Sequence, residues 1–260
     1  MEERSCTTES TRQPEAYVKT FVPEEGQFQF PRVKTLDLEP NTRVLVLSPH
    51  PDDDIFGCGG TICKFTRKGT KFKIVYMTDG RFGSDSIPPK ELIEIRRKEA
   101  KGALRVLGCS DFVFLENIDL GLRCDQNNID KLRSILDDFK PKALFIPSFE
   151  DFHPDHVTTN RLAARVLNDY KNEIDCYSYE VMAPVRPNVF VDITEFMDLK
   201  IRAMKQHKTQ IDVVDYAEKI IGLNSYRSIF AEKHIKYCEA FHKCSRQDFI
   251  SMAESMGVLV

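Results

Sequence analysis

The sequence lacks the features that mark several classes of protein. Its 260 residues carry 37 Lys and Arg against 40 Asp and Glu, a formal charge of −3, so it has no excess of positive charge for binding a polyanion. Nucleic acid is therefore not an expected partner. No apolar run approaches the roughly 20 residues that span a bilayer, and the polar first 20 residues contain no signal-peptide core. We accordingly predict a cytoplasmic protein without a membrane span.

The eight cysteines do not form a recognisable framework. The sequence contains no C-x-x-C pair, which argues against a zinc ribbon or a thioredoxin-type site. The cysteines are also sparse for a disulfide-stapled secreted domain, and several lie in apolar runs, where a free Cys behaves as a small hydrophobic residue. We therefore expect reduced thiols.

Short apolar blocks alternate with helical stretches from residue 43 onward. Strands are predicted at 43–48, 72–78, 112–115 and 143–146. Helices are predicted from the glycine cluster at 57–60 to about 68, over about 90–107 and 128–139, and after His153. This alternation indicates βαβ units. The predicted fold is α/β and Rossmann-like, with a mainly parallel sheet covered by helices on both faces.

The ends of the chain are less regular. Residues 1–40 are polar and show no period, so we interpret them as an N-terminal arm, and residues 41–260 as a single domain. Val181 and residues 189–192 are expected to be further strands, followed by a helix from Thr194 to His207. The last 40 residues show no clear pattern.

Polar residues cluster where predicted strands end. In open α/β sheets, ligands bind outside the carboxyl ends of the strands, which here selects segments 48–54, 78–82 and 148–156. The first and third segments hold three of the six histidines and five aspartates. Two distant parts of the sequence are therefore expected to meet at one edge of the sheet.

The first of these segments reads His50-Pro51-Asp52-Asp53-Asp54. Consecutive carboxylates in a partly desolvated cleft repel one another unless they become protonated or meet a cation. A divalent metal would remove the conflict. The alternative is a solvated acidic turn that caps the following helix, where the helix dipole favours Asp.

The third segment contains His153 and His156, with Pro154 suited to the first position of a helix. Residues three apart share a helix face, so both imidazoles can point into one pocket. Surface or capping histidines are the alternative. Together with the acidic segment, this pattern gives two imidazoles and a carboxylate, a common ligand set for Zn²⁺ or Fe²⁺.

Four motifs give the chain its resemblance to a known family. They are S-P-H-P-D-D after the first strand, M-T-D-G after the second, the helix I-R-R-K-E-A ending in L-G, and H-P-D-H. Over roughly residues 43–210 the sequence resembles the LmbE/PIG-L family, whose members are metal-dependent N-acetylglucosaminyl deacetylases. The order of the first and last motifs, each after a strand, makes the resemblance specific.

The resemblance implies a role for each matching residue. It implies metal ligation by His50, Asp53 and His156, and a general base at Asp52. It also implies that His153 stabilises the oxyanion or acts as general acid, with Asp155 orienting it. The sequence departs from the family in one place, because Asp54 stands where the family usually has Glu. That residue is not a ligand in the family pattern.

Arg96 falls on the apolar stripe of its predicted helix, which should face the sheet. A guanidinium there needs a partner. One alternative is a buried carboxylate such as Glu99 or Asp79. The other is contact with the substrate or acetate, which the family resemblance also suggests for this Arg.

The resemblance implies a zinc-dependent hydrolase, with Fe²⁺ as the other candidate metal. It would remove the acetyl group from an N-acetylglucosamine-type amino sugar or its conjugate, giving acetate and a free amine. The alternative is a non-catalytic sugar- or metal-binding protein on the same fold. A nucleotide-binding role is disfavoured, since no G-x-G-x-x-G follows the first strand. The resemblance leaves a homo-oligomer open.

Overall fold

The computed structural model describes residues 34–212 and 214–257. Most of the predicted arm over 1–40, including Cys6, lies outside the described residues. From Lys34 onward the chain contributes to the sheet, and Leu36 and Leu38 are buried. The described residues belong to one compact unit.

One mixed sheet runs through the described residues. Its strands are β1 (Lys34–Thr35), β2 (Arg43–Ser48), β3 (Lys71–Thr78), β4 (Phe112–Asn117), β5 (Ala143–Pro147), β6 (Asp175–Tyr179), β7 (Val189–Asp192) and β8 (Cys238–Ser245). Their order is β1-β7-β8-β6-β5-β2-β3-β4, and β8 pairs antiparallel with both neighbours whereas the other pairs are parallel. The chain leaves β2 toward β3 on one side and later occupies β5 on the other. This reversal between β2 and β5 is the switch point at which open α/β sheets bind ligands.

Helices cover both faces of the sheet. They are α1 (Asp53–Arg67), α2 (Pro89–Leu107), α3 (Gln126–Phe139), α4 (Pro154–Asp169), α5 (Met197–Met204), α6 (Lys208–Ile211), α7 (Tyr216–Arg227) and α8 (Arg246–Ser255). Because strand side chains alternate between faces, Val44 and Val46 join one apolar cluster, while Leu45 and Leu47 join another. Helices α1, α2, α5 and α7 pack together, and α4 packs with α3 and α8. The predicted α/β fold with a mainly parallel sheet and helices on both faces is confirmed.

Helix α1 departs from its prediction. It begins at Asp53, before the glycines, and is kinked at Cys58. The kinked turn passes close to its neighbours: a Cβ at Gly57 would lie 2.3 Å from the Tyr179 ring, and one at Gly60 would lie 2.7 Å from Ile193. The glycines are therefore required inside the helix for close approach, and the first turn carries Asp53 itself.

The late part of the chain also differs from its prediction. Val181 is outside any strand, and the strand in this region is β6, which ends at Tyr179. The helix expected from Thr194 to His207 is a 3₁₀ turn followed by α5, which ends at Met204. The described part of the last 40 residues, for which the sequence showed no clear pattern, contains the end of α7, then β8 and α8. Antiparallel β8 carries Glu239 and His242 among its apolar residues, which obscured its pattern.

A buried ion pair, Lys200–Glu239, contacts α1 just after its kink. The Glu239 carboxylate accepts hydrogen bonds from the backbone N–H groups of Gly60 (2.8 Å) and Thr61 (2.7 Å), at the start of the second part of the helix. Lys200 Nζ lies 2.6 Å from Glu239 Oε1 and donates to Asn224 Oδ1 at 2.9 Å. The Lys200 and Glu239 side chains are both fully buried. The pair therefore connects β8 and α5 to the helix that carries Asp53.

We expect Lys200→Met to lower the free energy of unfolding by about 3–5 kcal/mol, because it leaves a buried carboxylate without its counter-charge. Urea unfolding followed by circular dichroism measures the change. Lys219→Met is the matched control. Lys219 is exposed and paired with Glu218, so its loss should change stability by no more than about 1 kcal/mol. Equal effects of the two substitutions would contradict the prediction.

The cysteines within the described residues are free thiols. Burial raises the pKa of several of them, to about 12 for Cys109 and Cys244, so these remain protonated. None of the helices in the described ranges combines the length and apolarity needed to cross a membrane.

Candidate metal centre

Two loops at the switch point carry the predicted ligands. The loop after β2 holds His50 and leads into α1, whose first residue is Asp53. The loop after β5 leads into α4, which has Pro154 at its first position and His156 in its first turn. Since β2 and β5 are neighbours in register, the two segments meet.

Three potential ligand atoms converge here. Asp53 Oδ2 lies 3.1 Å from His50 Nδ1 and 3.2 Å from His156 Nε2, and the two nitrogens are 3.3 Å apart. Ligands bonded to a tetrahedral zinc at 2.0–2.1 Å are separated by about 3.3 Å. The donor set and spacing therefore fit a divalent ion such as Zn²⁺ or Fe²⁺.

Carboxylates hold the outer nitrogen of each imidazole. His156 Nδ1 lies 2.8 Å from Asp151 Oδ2. His50 Nε2 lies 3.2 Å from Asp119 Oδ1 and 3.3 Å from Asp155 Oδ2. Metal-binding histidines characteristically donate their other N–H to such a carboxylate, which fixes the tautomer and ring orientation.

Two other sets of atoms also lie close enough to hold an ion: His50, His153 and His156, and separately His50, Asp119 and Asp155. In the second set His50 would use Nε2 rather than Nδ1, and neither carboxylate contacts His156. Asp53 Oδ2 contacts both imidazoles, so the set that includes Asp53 has the better convergence.

The centre stabilises positive charge. Burial lowers the pKa of His156, but Asp53 and Asp151 more than offset this and raise it to about 9. Burial also lowers the pKa of His50, but contacts with Asp119, Asp155 and Asp53 outweigh it and raise that pKa well above its ordinary value. A cation supplies the charge that these carboxylates favour. Because metal must displace the imidazole protons, its affinity should rise with pH.

Asp52 lines a pocket together with His50, Asp53 and His156, but its carboxylate pairs with an arginine and not with an imidazole. Arg96 Nη2 donates to Asp52 Oδ2 at 2.8 Å, and Arg96 Nη1 donates to the Gly80 carbonyl at 2.9 Å. The Arg96 side chain is buried, as its position on the apolar stripe requires. The partner is a buried carboxylate, one of the two predicted alternatives, but the examples Glu99 and Asp79 are wrong: Glu99 accepts from Thr209, and Asp79 pairs with Arg81. Burial raises the pKa of Asp52, with the Arg96 guanidinium opposing the shift.

His153 is the N-cap of α4. Its Nδ1 accepts the backbone N–H of Asp155 at 3.2 Å, which fixes the proton of the neutral ring on Nε2. Burial lowers the His153 pKa, as do the nearby His50 and His156. A hydrogen bond from Asp155 to His153 is present, but it comes from the backbone N–H and not from the carboxylate. The Asp155 carboxylate contacts His50 and accepts from the backbone N–H groups of Leu120 and Leu122.

Sequence reasoning did not single out Asp119 or Asp151. Asp119 follows β4, a strand end that was not selected, and it lines the pocket. Asp151 lies within the selected segment 148–156 but outside the H-P-D-H motif. The rule that placed the other residues at strand ends would have found both.

His207 lies behind this pocket in an unusual environment. It is fully buried, and neither ring nitrogen has a hydrogen-bond partner among the described residues. Burial, together with the Arg96 charge, lowers its pKa to about 3, although Asp53 opposes the shift. The imidazole is therefore neutral, and its ring contacts Phe56 edge-on at 6.0 Å between centroids.

We expect His207 to make the protein sensitive to acid. Between pH 6.5, the usual His pKa, and pH 3 the unfolded chain binds a proton that the folded chain does not, so stability falls as pH falls. His207→Leu should remove about 1 kcal/mol of the loss between pH 6 and 5. Urea unfolding at both pH values measures it. His234→Leu, at an exposed site, should leave the pH dependence as it is, and equal slopes in wild type and His207→Leu would contradict the prediction.

Comparison with known proteins places this geometry in a family. The model of the PIG-L family, described as GlcNAc-PI de-N-acetylase, matches residues 45–167. The structure of the N,N'-diacetylchitobiose deacetylase from Pyrococcus horikoshii superposes with a TM-score of 0.70 at 30% identity, covering 80% of this chain and 85% of that one. The chain belongs to the PIG-L (LmbE-like) family. The predicted family resemblance is thus confirmed.

Other PIG-L relatives differ in the activity their names describe. A probable N-acetyl-alpha-D-glucosaminyl L-malate deacetylase 2 from Bacillus cereus is 28% identical over 66% of this chain and 84% of its own length. A 4-oxalmesaconate hydratase from Pseudomonas putida is 25% identical over 73% of this chain and 86% of its own. Because the names cover two reaction types, the residues of this chain must decide its chemistry.

Proposed function

We propose that this protein is a metal-dependent N-deacetylase that hydrolyses the acetamide of an N-acetylglucosamine-type amino sugar or its conjugate. The single observation that carries the proposal is the convergence of His50 Nδ1, Asp53 Oδ2 and His156 Nε2 at 3.1–3.3 Å beside the carboxylate of Asp52. Deacetylase relatives that act on amino sugars support it. The products are acetate and a free amine.

The metal would be held by His50, Asp53 and His156, with Zn²⁺ as the first candidate and Fe²⁺ as the second. When bound, a divalent ion polarises a carbonyl oxygen and lowers the pKa of a water molecule to about 7. Asp151, Asp119 and Asp155 keep the two imidazoles in the required orientation.

Asp52 acts as general base. Its Oδ2 is held by Arg96, whereas its Oδ1 has no hydrogen-bond partner among the described residues and is available to the attacking water. Burial raises the pKa of Asp52 toward the pH at which the enzyme works, and proton transfer in both directions is efficient when these two values are close. Asp52 therefore takes the proton from water and returns it to the leaving amine. Arg96 acts through Asp52 and is therefore a positioning residue.

His153 acts as a hydrogen-bond donor to the oxygen of the tetrahedral intermediate. Its Nδ1 is occupied by the Asp155 backbone N–H, so Nε2–H is the free donor. The lowered pKa keeps His153 neutral, which suits donation to an oxyanion better than delivery of a full proton. Of its two expected roles we assign oxyanion stabilisation.

The second candidate function is a non-catalytic sugar- or metal-binding protein. It predicts a bound metal without turnover. The buried Asp52–Arg96 pair disfavours it, because a binding protein gains nothing from a base of raised pKa beside the ligands. We also propose a cytoplasmic location, which the free thiols of the described cysteines support.

A direct assay tests the proposal. Protein purified without chelator is analysed for metal, then loaded with Zn²⁺ or Fe²⁺ and incubated with N-acetylglucosamine and its conjugates. We expect stoichiometric release of acetate and free amine, lost with a chelator and restored by metal. Bound metal with no acetate from any amino sugar would support the binding protein, and hydration of an unsaturated acid would support the reaction of the hydratase relative.

A further inference from the structure

Large apolar side chains surround the mouth of the metal pocket. Phe82, Leu120 and Met182 line the pocket, yet they are 51%, 59% and 42% exposed. Two more exposed hydrophobic residues, Ile118 and Phe152, are next in sequence to the pocket residues Asp119 and His153. Five of the nine large hydrophobic residues exposed in the described chain thus lie on loops at this edge of the sheet. We call Phe82, Leu120 and Met182 the apolar rim.

The backbone of the apolar rim is fixed by the carboxylates of the metal centre. The N–H groups of the three residues donate one each to Asp119 Oδ2 (3.0 Å), Asp155 Oδ2 (2.8 Å) and Asp151 Oδ2 (3.2 Å), in the order Phe82, Leu120 and Met182. The same carboxylates contact His50 or His156. Each rim residue is therefore linked through one shared carboxylate to a predicted metal ligand. These hydrogen bonds make the apolar rim an integral part of the site, although its residues come from loops after three different strands.

The exposed side chains of the rim are unfavourable in water, since each leaves apolar surface unburied. Contiguous exposed apolar surface with polar groups beside it is typical of a ligand-binding site. A ligand whose reacting amide reaches Asp52 would place its attached group against the rim.

The charges of the pocket limit what that group can be. Its acidic lining residues are Asp52, Asp53 and Asp119. Apart from imidazoles, Arg96 is the cationic residue of the lining. Its Nη1 and Nη2 contact Gly80 and Asp52, and its Nε has no hydrogen-bond partner among the described residues but is buried. Phosphate recognition uses Arg or Lys with free donors. A phosphate or nucleotide on the substrate would find no exposed Arg or Lys among the lining residues, since Arg96 is buried.

Resting on the proposed deacetylase function, we propose that the substrate is a conjugate of N-acetylglucosamine with an apolar aryl or alkyl group, which packs against Phe82, Leu120 and Met182. Burying that group removes the apolar surface of both partners from water. The rim thus selects the conjugate, and the metal centre acts on the acetamide.

Matched substrates test the proposal. Metal-loaded protein is assayed with N-acetylglucosamine, with its p-nitrophenyl and octyl glycosides in both anomeric forms, and with a nucleoside-diphosphate conjugate. We expect kcat/KM for an aryl or octyl glycoside to exceed that for the free sugar by at least about tenfold, the scale of selectivity in hydrophobic pockets. The nucleotide conjugate should be no better than the free sugar. Equal kcat/KM for apolar conjugate and free sugar would overturn the proposal.

Variants locate the preference. The triple variant Phe82→Ser, Leu120→Ser and Met182→Ser should reduce the ratio of kcat/KM between apolar conjugate and free sugar by about tenfold, mainly through KM. Ile229→Ser is the matched control, because Ile229 is 65% exposed and does not line the pocket. A ratio unchanged in the triple variant, or lost equally in the control, would overturn the proposal.

A binding measurement separates this proposal from the deacetylase function. Calorimetric titration of metal-loaded Asp52→Asn with the same glycosides needs no turnover. Tenfold tighter binding of the apolar conjugate, lost in the rim variant, would support the rim even if the wild type released no acetate. Turnover of free sugar and conjugate alike, with no binding preference, would uphold the deacetylase and overturn the rim.

Discussion

Asp52→Asn is expected to lower kcat for acetate release by about 10²–10⁴-fold while leaving the bound metal in place. Asn keeps the shape of the side chain and a contact for Arg96, but it cannot accept a proton from water. Asp52 does not share in the convergent contacts of His50, Asp53 and His156, so metal content should stay at the wild-type value. Acetate release and metal analysis on the same preparation give both quantities.

Asp54→Asn is the matched control for this experiment. Asp54 is the third carboxyl of the segment, next to Asp53. Burial raises its pKa to about 8, so at pH 7 it is mainly protonated. Its oxygens contact the hydroxyl groups of Ser48 and Tyr76. A neutral amide of the same shape should therefore change kcat by less than tenfold. If Asp52→Asn retained near-wild-type kcat, or if the two variants lost activity equally, Asp52 would not be the base.

His156→Ala is expected to abolish tight metal binding and, with it, activity. The substitution removes Nε2, which lies 3.2 Å from Asp53 Oδ2 at the point of convergence. Removing a carboxylate that only orients a ligand typically lowers metal affinity by about 10–100-fold, so loss of the ligand itself should exceed about 100-fold. Asp151→Asn should fall in that smaller range, since Asp151 contacts the other nitrogen, Nδ1, at 2.8 Å. Competition with a chromophoric chelator measures the affinities.

The order of these effects is the decisive result. A larger loss for His156→Ala than for Asp151→Asn supports ligation by His156 and orientation by Asp151. His234→Ala provides the histidine control, because His234 is exposed and contacts Glu232. Unchanged metal affinity in His156→Ala would overturn the ligand set and favour one of the other groups of atoms around His50.

The central half of the fold could be predicted from the sequence because its strands are buried on both faces. Strands β2, β3 and β5 are nearly continuous apolar runs, and each is separated from the next by an amphipathic helix or a turn signal. Helix α2 ends at Gly108 in the left-handed conformation, which marks its C-terminus in the sequence. Strand β8 gave no such signal, because it is antiparallel, carries charged and polar residues, and contains a buried Glu239 that serves Lys200.

The site was predictable to the extent that its residues follow strand ends. The rule that ligands bind at the carboxyl ends of strands brought His50 and His156 together across 106 residues of sequence. It could not assign partners, since those depend on side-chain distances. Arg96 was expected beside Glu99 or Asp79 but reaches Asp52, 44 residues away. Asp155 was expected to orient His153; its backbone N–H bonds His153, whereas its carboxylate contacts His50 and the loop after β4.

The position of β8 has a consequence for synthesis of the chain. This strand separates β6 from β7, so β1 and β7 have no place beside the parallel strands until residues 238–245 are inserted between them. Domains generally fold as units during synthesis, and here the connecting strand follows all seven other strands of the sheet in the sequence. It also supplies Glu239, which caps the second part of the helix that carries Asp53. A ribosome stalled before Cys238 would thus carry a nascent chain with every residue of the candidate metal centre translated and its sheet still in two parts.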